Sequence, residues 1–332
     1  MTSNFKTLIA AFYSVILIAH LQGQDTAPDN SCATFRLITW NMQSDFDDAR
    51  KESDPDFLAK QMAEKGAVDI WALTEVLNQD SLSKFEKAIE EKTGCDYEGE
   101  ISNSGNTDRL AILFCKKKFK KIGDFEEISS IQYSKNARPG FKVTLEEIAT
   151  AQRFIFIVNH FKCCGGSRNI RKRISQARAL NAYAESQSLP VIAAGDFNTP
   201  FREREEHRLP AALNTLINEG PFEWSKPSNL VRTHRGGPIL DYVFVANSTK
   251  DWEVESLVLK REGNAPASKA DSLEDNHMST DHRPVQATFE IHCGDRVEEI
   301  SEEIEELKAR LRLLNEELSS LNELARTLRL RQ

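Results

Sequence analysis

Asp281 and His282 stand together just before an alternating apolar run at residues 285–291. The alternation predicts a half-buried β-strand, so the pair is expected at the start of a strand. An imidazole that is fixed beside a carboxylate is a poised base. Because an Asp-His pair at a strand start is more often an ordinary turn, its meaning depends on the other polar residues that end strands.

An acid and an amide follow an apolar strand in the string Gly195-Asp196-Phe197-Asn198. Alternation directs Asp196 and Asn198 to one side of the strand and Phe197 to the core. A carboxylate can orient or deprotonate a water molecule, and an amide can donate to an oxyanion that develops on phosphorus. A turn rich in Asp and Asn accounts for the same string.

Glu75 and Asn41 each lie at the end of a predicted strand. A carboxylate beside an amide suits a hard divalent cation that keeps several of its waters, although a glutamate at such a junction is more often a cap or an ion-pair partner. His160 ends a third strand, and Asp241 lies within an apolar strand, where an unpaired charge would be costly. Together with His282, His160 suits general acid–base hydrolysis of a phosphodiester.

The elements that position these residues alternate between apolar, β-branched runs and stretches with helical spacing, which is typical of a layered α/β protein. The predicted helices cover residues 56–65, 81–91, 168–187 and 209–219. The predicted strands cover residues 35–41, 68–74, 110–115, 141–145, 154–160, 191–195, 239–245, 253–259 and 284–292. The chemical residues cluster at the carboxyl ends of strands, where open α/β sheets build their sites. The polar segment 263–280 is predicted to be a mobile loop.

The composition is that of a soluble globular protein, with 332 residues, 40% hydrophobic, and a net charge of −8. This charge excludes a protein that binds nucleic acid through a generally basic surface, so a polyanion must be bound by a local basic patch. One basic run is present, and it either attracts a phosphate backbone or forms a solvated helix face. It consists of Lys162, Arg168, Arg171, Lys172, Arg173 and Arg178.

Residues 1–23 have the order of regions found in a secretory signal peptide. Their apolar stretch is short for a membrane span, although an uncleaved anchor or a buried helix is the alternative. The chain is therefore predicted to be secreted or periplasmic, without stable membrane insertion after cleavage. Cysteine spacing does not give disulfide connectivity, but Cys32 and Cys293 flank the predicted strands and could join the chain ends. The adjacent Cys163 and Cys164 could bridge each other under strain, or pair with separate partners.

Residues 295–331 differ in pattern from the rest of the chain. Apolar residues recur in alternating steps of three and four from Val297 to Leu328, which predicts a coiled-coil helix. We expect homo-oligomerisation through residues 297–328. The alternatives are a helix that packs on its own domain and one that lies on a membrane surface.

In their order and spacing, these motifs resemble the motif set of the endonuclease/exonuclease/phosphatase superfamily, typified by deoxyribonuclease I-like proteins. The matching strings are Trp40-Asn41, Thr74-Glu75, Asn159-His160, Gly195-Asp196-Phe197-Asn198, Leu240-Asp241-Tyr242 and Ser279-Thr280-Asp281-His282-Arg283-Pro284-Val285. The resemblance implies an α+β fold for residues 33–293, a four-layer α/β/β/α sandwich of two packed mixed β-sheets, followed by the coiled-coil helix. It also implies metal-dependent cleavage of a phosphoester in a cleft at one edge of the sandwich.

By matching position, the resemblance assigns Glu75 to Mg²⁺ or Mn²⁺, with Asn41 in support and Asp281 completing or assisting the site. Ca²⁺ is a further candidate. Arg138 is similar to a phosphate-contacting arginine, and Asn198 would also hold the phosphate.

The remaining catalytic roles also follow from the resemblance. Asp196 would hold the water, and His282 and His160 would serve as base and acid, in either order. Asp241 would orient His160, and Glu100 would pair with His282.

The substrate predicted by these motifs is nucleic acid, either DNA or RNA. The residues after Glu75 are Val76-Leu77-Asn78, where duplex deoxyribonucleases of this kind carry an arginine, which argues against a specialised duplex nuclease. Some strings also resemble the nuclease subunit of cytolethal distending toxins. A phospholipid or sphingomyelin phosphodiesterase is the main alternative, with Trp224 and Trp252 as candidates for membrane docking. A non-catalytic coiled-coil adaptor is a third, less favoured hypothesis.

Overall fold

The fold is described here from a computed structural model, which covers residues 31–43, 53–106, 108–134, 137–205, 208–248, 252–273, 278–292 and 305–314. The predicted signal peptide, most of the predicted coiled coil and Cys293 lie outside these residues, so the predictions that depend on them stay predictions.

Two six-stranded sheets form the centre of the molecule. The first has the order β11-β12-β1-β2-β4-β3 and the second the order β5-β6-β7-β8-β10-β9. Both sheets are mixed, because β1 and β2 are parallel, β7 and β8 are parallel, and the remaining pairs are antiparallel. The strands are β1 (Ser31–Asn41), β2 (Ile70–Val76), β3 (Tyr97–Ile101), β4 (Arg109–Cys115), β5 (Phe119–Ile128), β6 (Gly140–Glu147), β7 (Arg153–His160), β8 (Val191–Phe201), β9 (Glu223–Trp224), β10 (Ile239–Ala246), β11 (Trp252–Val258) and β12 (Val285–His292).

The first two helices of the folded domain begin at capping side chains. Asp54 caps α1 by accepting hydrogen bonds from the first turn, and Asn78 caps α2 in the same way. Gly94 ends α2 in the left-handed conformation that glycine adopts without strain. The helices are α1 (Pro55–Ala63), α2 (Gln79–Thr93), α3 (Ser167–Glu185), α4 (Ala211–Asn218) and α5 (residues 305–314).

Three apolar layers hold these elements together. Between the sheets, the ring of Phe35 stacks on Phe289 at 4.6 Å and on Phe154 at 5.6 Å between centroids. A second layer joins the first sheet to α1 and α2, and a third joins the second sheet to α3 and α4. Two packed mixed sheets with helices on both outer faces confirm the predicted four-layer sandwich.

Within residues 33–293, the nine predicted strands and four predicted helices occur, with ends that shift by a few residues. Three strands were not predicted: β3, β5 and β9. Each of them lies at the edge of its sheet. Edge strands carry charged and half-exposed side chains, so β5 reads Phe-Lys-Lys-Ile-Gly-Asp-Phe-Glu-Glu-Ile and lacks the apolar alternation of a buried strand.

Described parts of the segment before Asp281 are held to the domain by buried cations, and the predicted mobility of residues 263–280 stays a prediction. Lys65 is fully buried and donates to the carbonyls of Lys260, Arg261 and Gly263, each at 2.6 Å. The guanidinium of Arg283 donates to two carbonyls further along, those of Asp271 and Ser272. These contacts hold Gly263, Asp271 and Ser272 against the domain.

A disulfide joins Cys95 to Cys115 within the first sheet and its helix layer, with Cα atoms 5.9 Å apart. In α5, the side chains of Leu307, Leu311 and Leu314, which belong to the predicted coiled-coil seam, are exposed. Among the described residues, none of the helices combines the length and the apolar character that crossing a bilayer requires.

Candidate active site

The predicted site residues meet at one end of the two sheets. In the second sheet, His160 at the end of β7 pairs in register with Asp196 of β8, and Asp196 pairs with Asp241 of β10. In the first sheet, Asn41 ends β1 beside the end of β2. The amide of Asn41 donates to Oδ2 of Asp196 at 3.2 Å, so a hydrogen bond between the two sheets closes the site.

Glu75 lies at the end of β2 with a backbone φ of 53°. This is the left-handed region, which residues other than glycine adopt at some energetic cost. The Nδ2 group of Asn41 donates to Oε1 of Glu75 at 2.8 Å, while Oδ1 of Asn41 accepts from the backbone of Gln43. Burial raises the pKa of Glu75 to about 7, despite the hydrogen bond from Asn41. Asn41 therefore orients the Glu75 carboxylate.

Asp196 forms the centre of the site. Its Oδ1 accepts from the backbone N–H of Asn198 at 2.8 Å, and its Oδ2 accepts from the Asn198 amide at 3.1 Å. The same amide also donates to the carbonyl of Phe161. Burial, followed by repulsion from Asp241, raises the pKa of Asp196 to about 7. A cation that bound here would relieve the cost of burying these acids together.

His160 is oriented by Asp108, a residue that the sequence did not single out. Nδ1 of His160 lies 3.1 Å from Oδ1 of Asp108. Nε2 lies 3.6 Å from Oε1 of Glu75 and 3.5 Å from Oδ2 of Asp196. Burial and the nearby Arg138 hold the pKa of His160 well below its ordinary value, so the ring is neutral at pH 7.

The prediction that Asp241 orients His160 is wrong, because the strand order places β8 between β7 and β10. Asp241 instead lies 2.8 Å from Nδ1 of His282. Thr233 connects the segments that carry Asp241 and His282. Its hydroxyl accepts a hydrogen bond from the backbone N–H of Asp241, and its carbonyl accepts one from the backbone N–H of Arg283.

His282 has an electrostatic environment opposite to that of His160. Its Nε2 atom lies 3.9 Å from Oδ2 of Asp196 and 3.8 Å from Oδ1 of Asp281. Burial alone would lower the pKa of His282, but attraction to Asp241 and its hydrogen bond outweigh burial and raise the pKa to about 10. The predicted pairing of His282 with Glu100 is also wrong, because Asp241 occupies that role and Glu100 lines a separate cavity beside β5.

Asp281 contacts His234, the second residue that the sequence did not single out. Oδ2 of Asp281 lies 3.3 Å from Nε2 of His234, and Nδ1 of His234 accepts from the backbone of Gly236 at 2.9 Å. Burial would raise the pKa of Asp281, but the hydrogen bond with His234 and the charge of His282 outweigh it and lower the pKa to about 2. His234 lies in a turn without any periodic pattern, so its only sequence signal is its proximity to Asp241.

Arg138 lies next to the site, where it forms an ion pair with Asp108 and approaches the carbonyls of His160 and Phe161 at 3.4 and 3.3 Å. The guanidinium of Arg138 therefore contacts both members of the Asp108–His160 pair. From the predicted basic run, Arg173 is buried and donates to the carbonyls of the preceding loop, whereas Arg168 and Arg171 are exposed at the start of α3.

The polar groups line a cleft of about 770 Å³. This volume is within the range of pockets that hold small-molecule ligands. Its walls include Glu75, Asp196, Asn198, Arg202, Asp281 and His282.

The donor atoms in the cleft fit a hard divalent cation. Glu75, Asp196 and His160 present ligand atoms within 4.8 Å of one another, and so do His234, Asp281 and His282. Carboxylate oxygens are the hard ligands that Mg²⁺ and Mn²⁺ prefer. Glu75 and Asp281, which the resemblance assigned to one metal, belong to different groups of candidate ligands.

Two packed mixed sheets with a polar cleft at their common edge, and two histidine–aspartate pairs beside it, define a phosphoesterase-type sandwich. The sequence model of the Endonuclease/Exonuclease/phosphatase family matches residues 38–282, and the chain belongs to this family. No protein of curated function matches the sequence.

Solved structures with the same fold come from several organisms. A family member from Bacteroides vulgatus is 17% identical, with a TM-score of 0.55 over 78% of this chain and 100% of that chain. The mannosyl-6-phosphatase of Bacteroides thetaiotaomicron is 14% identical, with a TM-score of 0.50 over 77% of this chain and 99% of that chain. The catalytic domain of human nocturnin, with bound sulfate, is 17% identical, with a TM-score of 0.51 over 78% and 93% of the two chains. At these identities the likeness establishes the fold alone.

Proposed function

We propose that this protein is a secreted, metal-dependent phosphodiesterase that hydrolyses nucleic acid. One observation carries the proposal: each of two histidines has its own aspartate, and both direct Nε2 towards the same oxygen of Asp196. The distances to Oδ2 of Asp196 are 3.5 Å for His160 and 3.9 Å for His282. A phosphodiester needs a proton acceptor for the attacking water and a proton donor for the leaving oxygen, and this arrangement supplies both.

We infer the roles of the two rings from their electrostatics. His160 is neutral, so it accepts the proton of the attacking water. His282 is protonated because its pKa is raised to about 10, so it donates to the leaving oxygen. Asp108 and Asp241 hold the two rings in place through their Nδ1 atoms.

A divalent ion bound at Glu75 would stabilise charge on a phosphoryl oxygen and increase the acidity of a bound water. Asn41 holds the Glu75 carboxylate for this role at 2.8 Å. The amide of Asn198 lies at the cleft wall, where exchanging its contact with Asp196 would let it donate to a phosphoryl oxygen. The sulfate bound to the nocturnin domain has the tetrahedral shape and charge of a phosphate, which supports anion binding in this fold.

We favour nucleic acid over lipid as the substrate, because the two tryptophans that were candidates for membrane docking pack within the domain. Trp224 packs against Phe201 and Tyr242, with ring centroids 5.0 and 5.2 Å away. Trp252 is buried between Phe154 and Phe289. Neither ring is free to enter a bilayer, whereas Arg202 in the cleft and the exposed arginines of α3 suit a phosphate backbone.

A phosphomonoesterase is the second candidate, because one structural neighbour is a mannosyl-6-phosphatase. The same acid–base pair would serve a monoester. The two functions differ in whether the substrate phosphate carries one ester bond or two.

The test is an assay of the full chain with Mg²⁺ or Mn²⁺ on single- and double-stranded DNA, RNA, phosphate monoesters and phosphatidylcholine or sphingomyelin liposomes. We expect cleavage of DNA or RNA and its loss in His160→Ala and His282→Ala. His292→Ala is the matched control, because His292 pairs with Glu253 on the outer part of the first sheet. Activity that persists in both site variants, or release of phosphocholine without nucleic-acid cleavage, would overturn the proposal.

A further inference from the structure

Two adjacent thiols lie at the rim of the cleft. Cys163 and Cys164 line the cleft together with Gly165, immediately after the strand that ends at His160. Their sulfur atoms are 2.7 Å apart without a bond, and Cys164 is exposed while Cys163 is partly buried. The phosphodiesterase chemistry described above uses neither of them.

We propose that Cys163 and Cys164 form a thiol–disulfide exchange site, which a small-molecule disulfide oxidises to a vicinal disulfide and a thiol reduces again. The proximity of the sulfurs makes the intramolecular step rapid compared with attack by a second small molecule. The chain carries a disulfide at Cys95 and Cys115, so at least one part of it matures where thiols are oxidised.

The reaction begins at Cys164, because the exposed sulfur is the accessible one. Its thiolate attacks one sulfur of the small disulfide and expels one thiolate, which leaves a mixed disulfide on Cys164. The thiolate of Cys163 then attacks the sulfur of Cys164 and expels the second small thiolate. The two cysteines lose two protons and two electrons, and the small disulfide gains them as two thiols.

The surroundings of Cys163 suit the second step. Burial and the hydrogen bond with Cys164 raise the pKa of the Cys163 thiol, which makes it a poor first nucleophile. The ammonium of Lys162 lies 3.4 Å from its sulfur and stabilises the thiolate when it forms. The order of attack is thus set by exposure and by the position of one lysine.

The backbone of this segment connects the thiols to the cleft. Cys164 has a φ of 73°, and its carbonyl accepts from the buried guanidinium of Arg173 at 2.8 Å. The same guanidinium donates to the carbonyl of Lys162, and the amide of Asn198 donates to the carbonyl of Phe161. Closing the small ring that contains the peptide bond between the cysteines changes these torsions. Oxidation therefore reshapes the rim next to the phosphate-binding amide, and it acts on substrate binding.

The experiment uses the reduced full chain, a series of ratios of glutathione disulfide to glutathione, acid quenching and alkylation. Cleavage after Lys162 and Arg168 releases residues 163–168, which contain both cysteines and no other. We expect this peptide to carry two alkyl groups when the protein is reduced. When the protein is oxidised, the peptide should carry none, and its mass should be two hydrogens lower than that of the unalkylated dithiol peptide. The Cys163→Ser variant should stop at a glutathione adduct on Cys164, and Cys164→Ser should react more slowly.

A peptide that keeps two alkyl groups at every ratio, or that pairs with another cysteine, would overturn the proposal. This mass measurement does not depend on catalysis, so it stands even if the proposed phosphodiesterase activity is absent. Where activity is present, the oxidised and reduced chains should differ in KM more than in kcat, and the Cys163→Ser/Cys164→Ser double variant should not respond to glutathione disulfide. Equal KM values in the two redox states would refute the effect on the rim.

Discussion

Asp241 holds His282 through a 2.8 Å contact between its Oδ2 atom and Nδ1 of the ring. The other carboxylate oxygen of Asp241 has no hydrogen-bond partner among the described residues. Asp241 is thus the strongest of the attractions that raise the pKa of His282, and Asp196 and Asp281 add to it.

Replacing Asp241 with Asn should move the alkaline limb of the pH–activity profile to lower pH. Attraction to Asp241 raises the pKa of His282 from 6.5 to about 10, so removing the charge lowers it. The imidazolium also stabilises the folded state below pH 6.5, and this contribution is lost as the pH rises through about 10. Titration of the ring by NMR in the metal-free protein measures the shift directly. Glu253→Gln, beside His292, is the control, and an unchanged alkaline limb in Asp241→Asn would contradict the role.

Asp108→Asn should lower kcat by about 10²- to 10⁴-fold, because His160 loses the carboxylate that orients its Nδ1 atom. KM should change less than kcat, since Asp108 is not among the residues that line the cleft. Steady-state kinetics measure both, and thermal unfolding of the same variant separates misfolding from a catalytic defect. A variant that unfolds like the wild type and keeps its kcat would show that Asp108 does not position His160.

His234→Ala should raise the Mg²⁺ or Mn²⁺ concentration that gives half-maximal activity. The hydrogen bond from His234 holds Asp281 in place and helps to lower the pKa of Asp281 to about 2, so its loss leaves this carboxylate less fixed and less acidic. His234→Gln can retain an amide donor, and it should behave more like the wild type. Identical metal dependence in the Ala variant and the wild type would exclude His234 from the metal-binding cluster.

Removing the Cys95–Cys115 disulfide by a double Ala substitution should lower the free energy of unfolding by about 3 kcal/mol, since the bridge closes a loop with a sequence separation of 20. Urea unfolding measures the loss. The Cys163→Ser/Cys164→Ser variant serves as the control, because it also removes two cysteines but leaves the Cys95–Cys115 bridge in place. An unchanged unfolding midpoint in the double Ala variant would mean that the bridge does not stabilise the fold.

The sequence predicted which strand ends meet, but not which side chains pair. Asn41, Glu75, His160 and Asp196 were identifiable because the ends of neighbouring strands share an edge of a sheet. Pairing depends on strand order, and the insertion of β8 between β7 and β10 separates Asp241 from His160.

The residues and strands that were not predicted lie where the sequence lacks the hydrophobic periodicity of a helix or a buried strand. Asp108 lies in a loop and His234 in a turn, so neither follows a periodic pattern. The strands β3, β5 and β9 are edges with charged, half-exposed faces, and their composition is close to that of a loop.

The most direct test of the central claim, that His282 is the general acid and His160 the general base, compares substrates with good and poor leaving groups. With Mg²⁺ or Mn²⁺ present, His282→Ala should lose activity on an oligonucleotide but recover most of it on a p-nitrophenyl phosphodiester, whose leaving group needs no protonation. His160→Ala should be impaired on both substrates. Equal losses on both substrates for His282→Ala, or recovery by His160→Ala instead, would contradict the assignment.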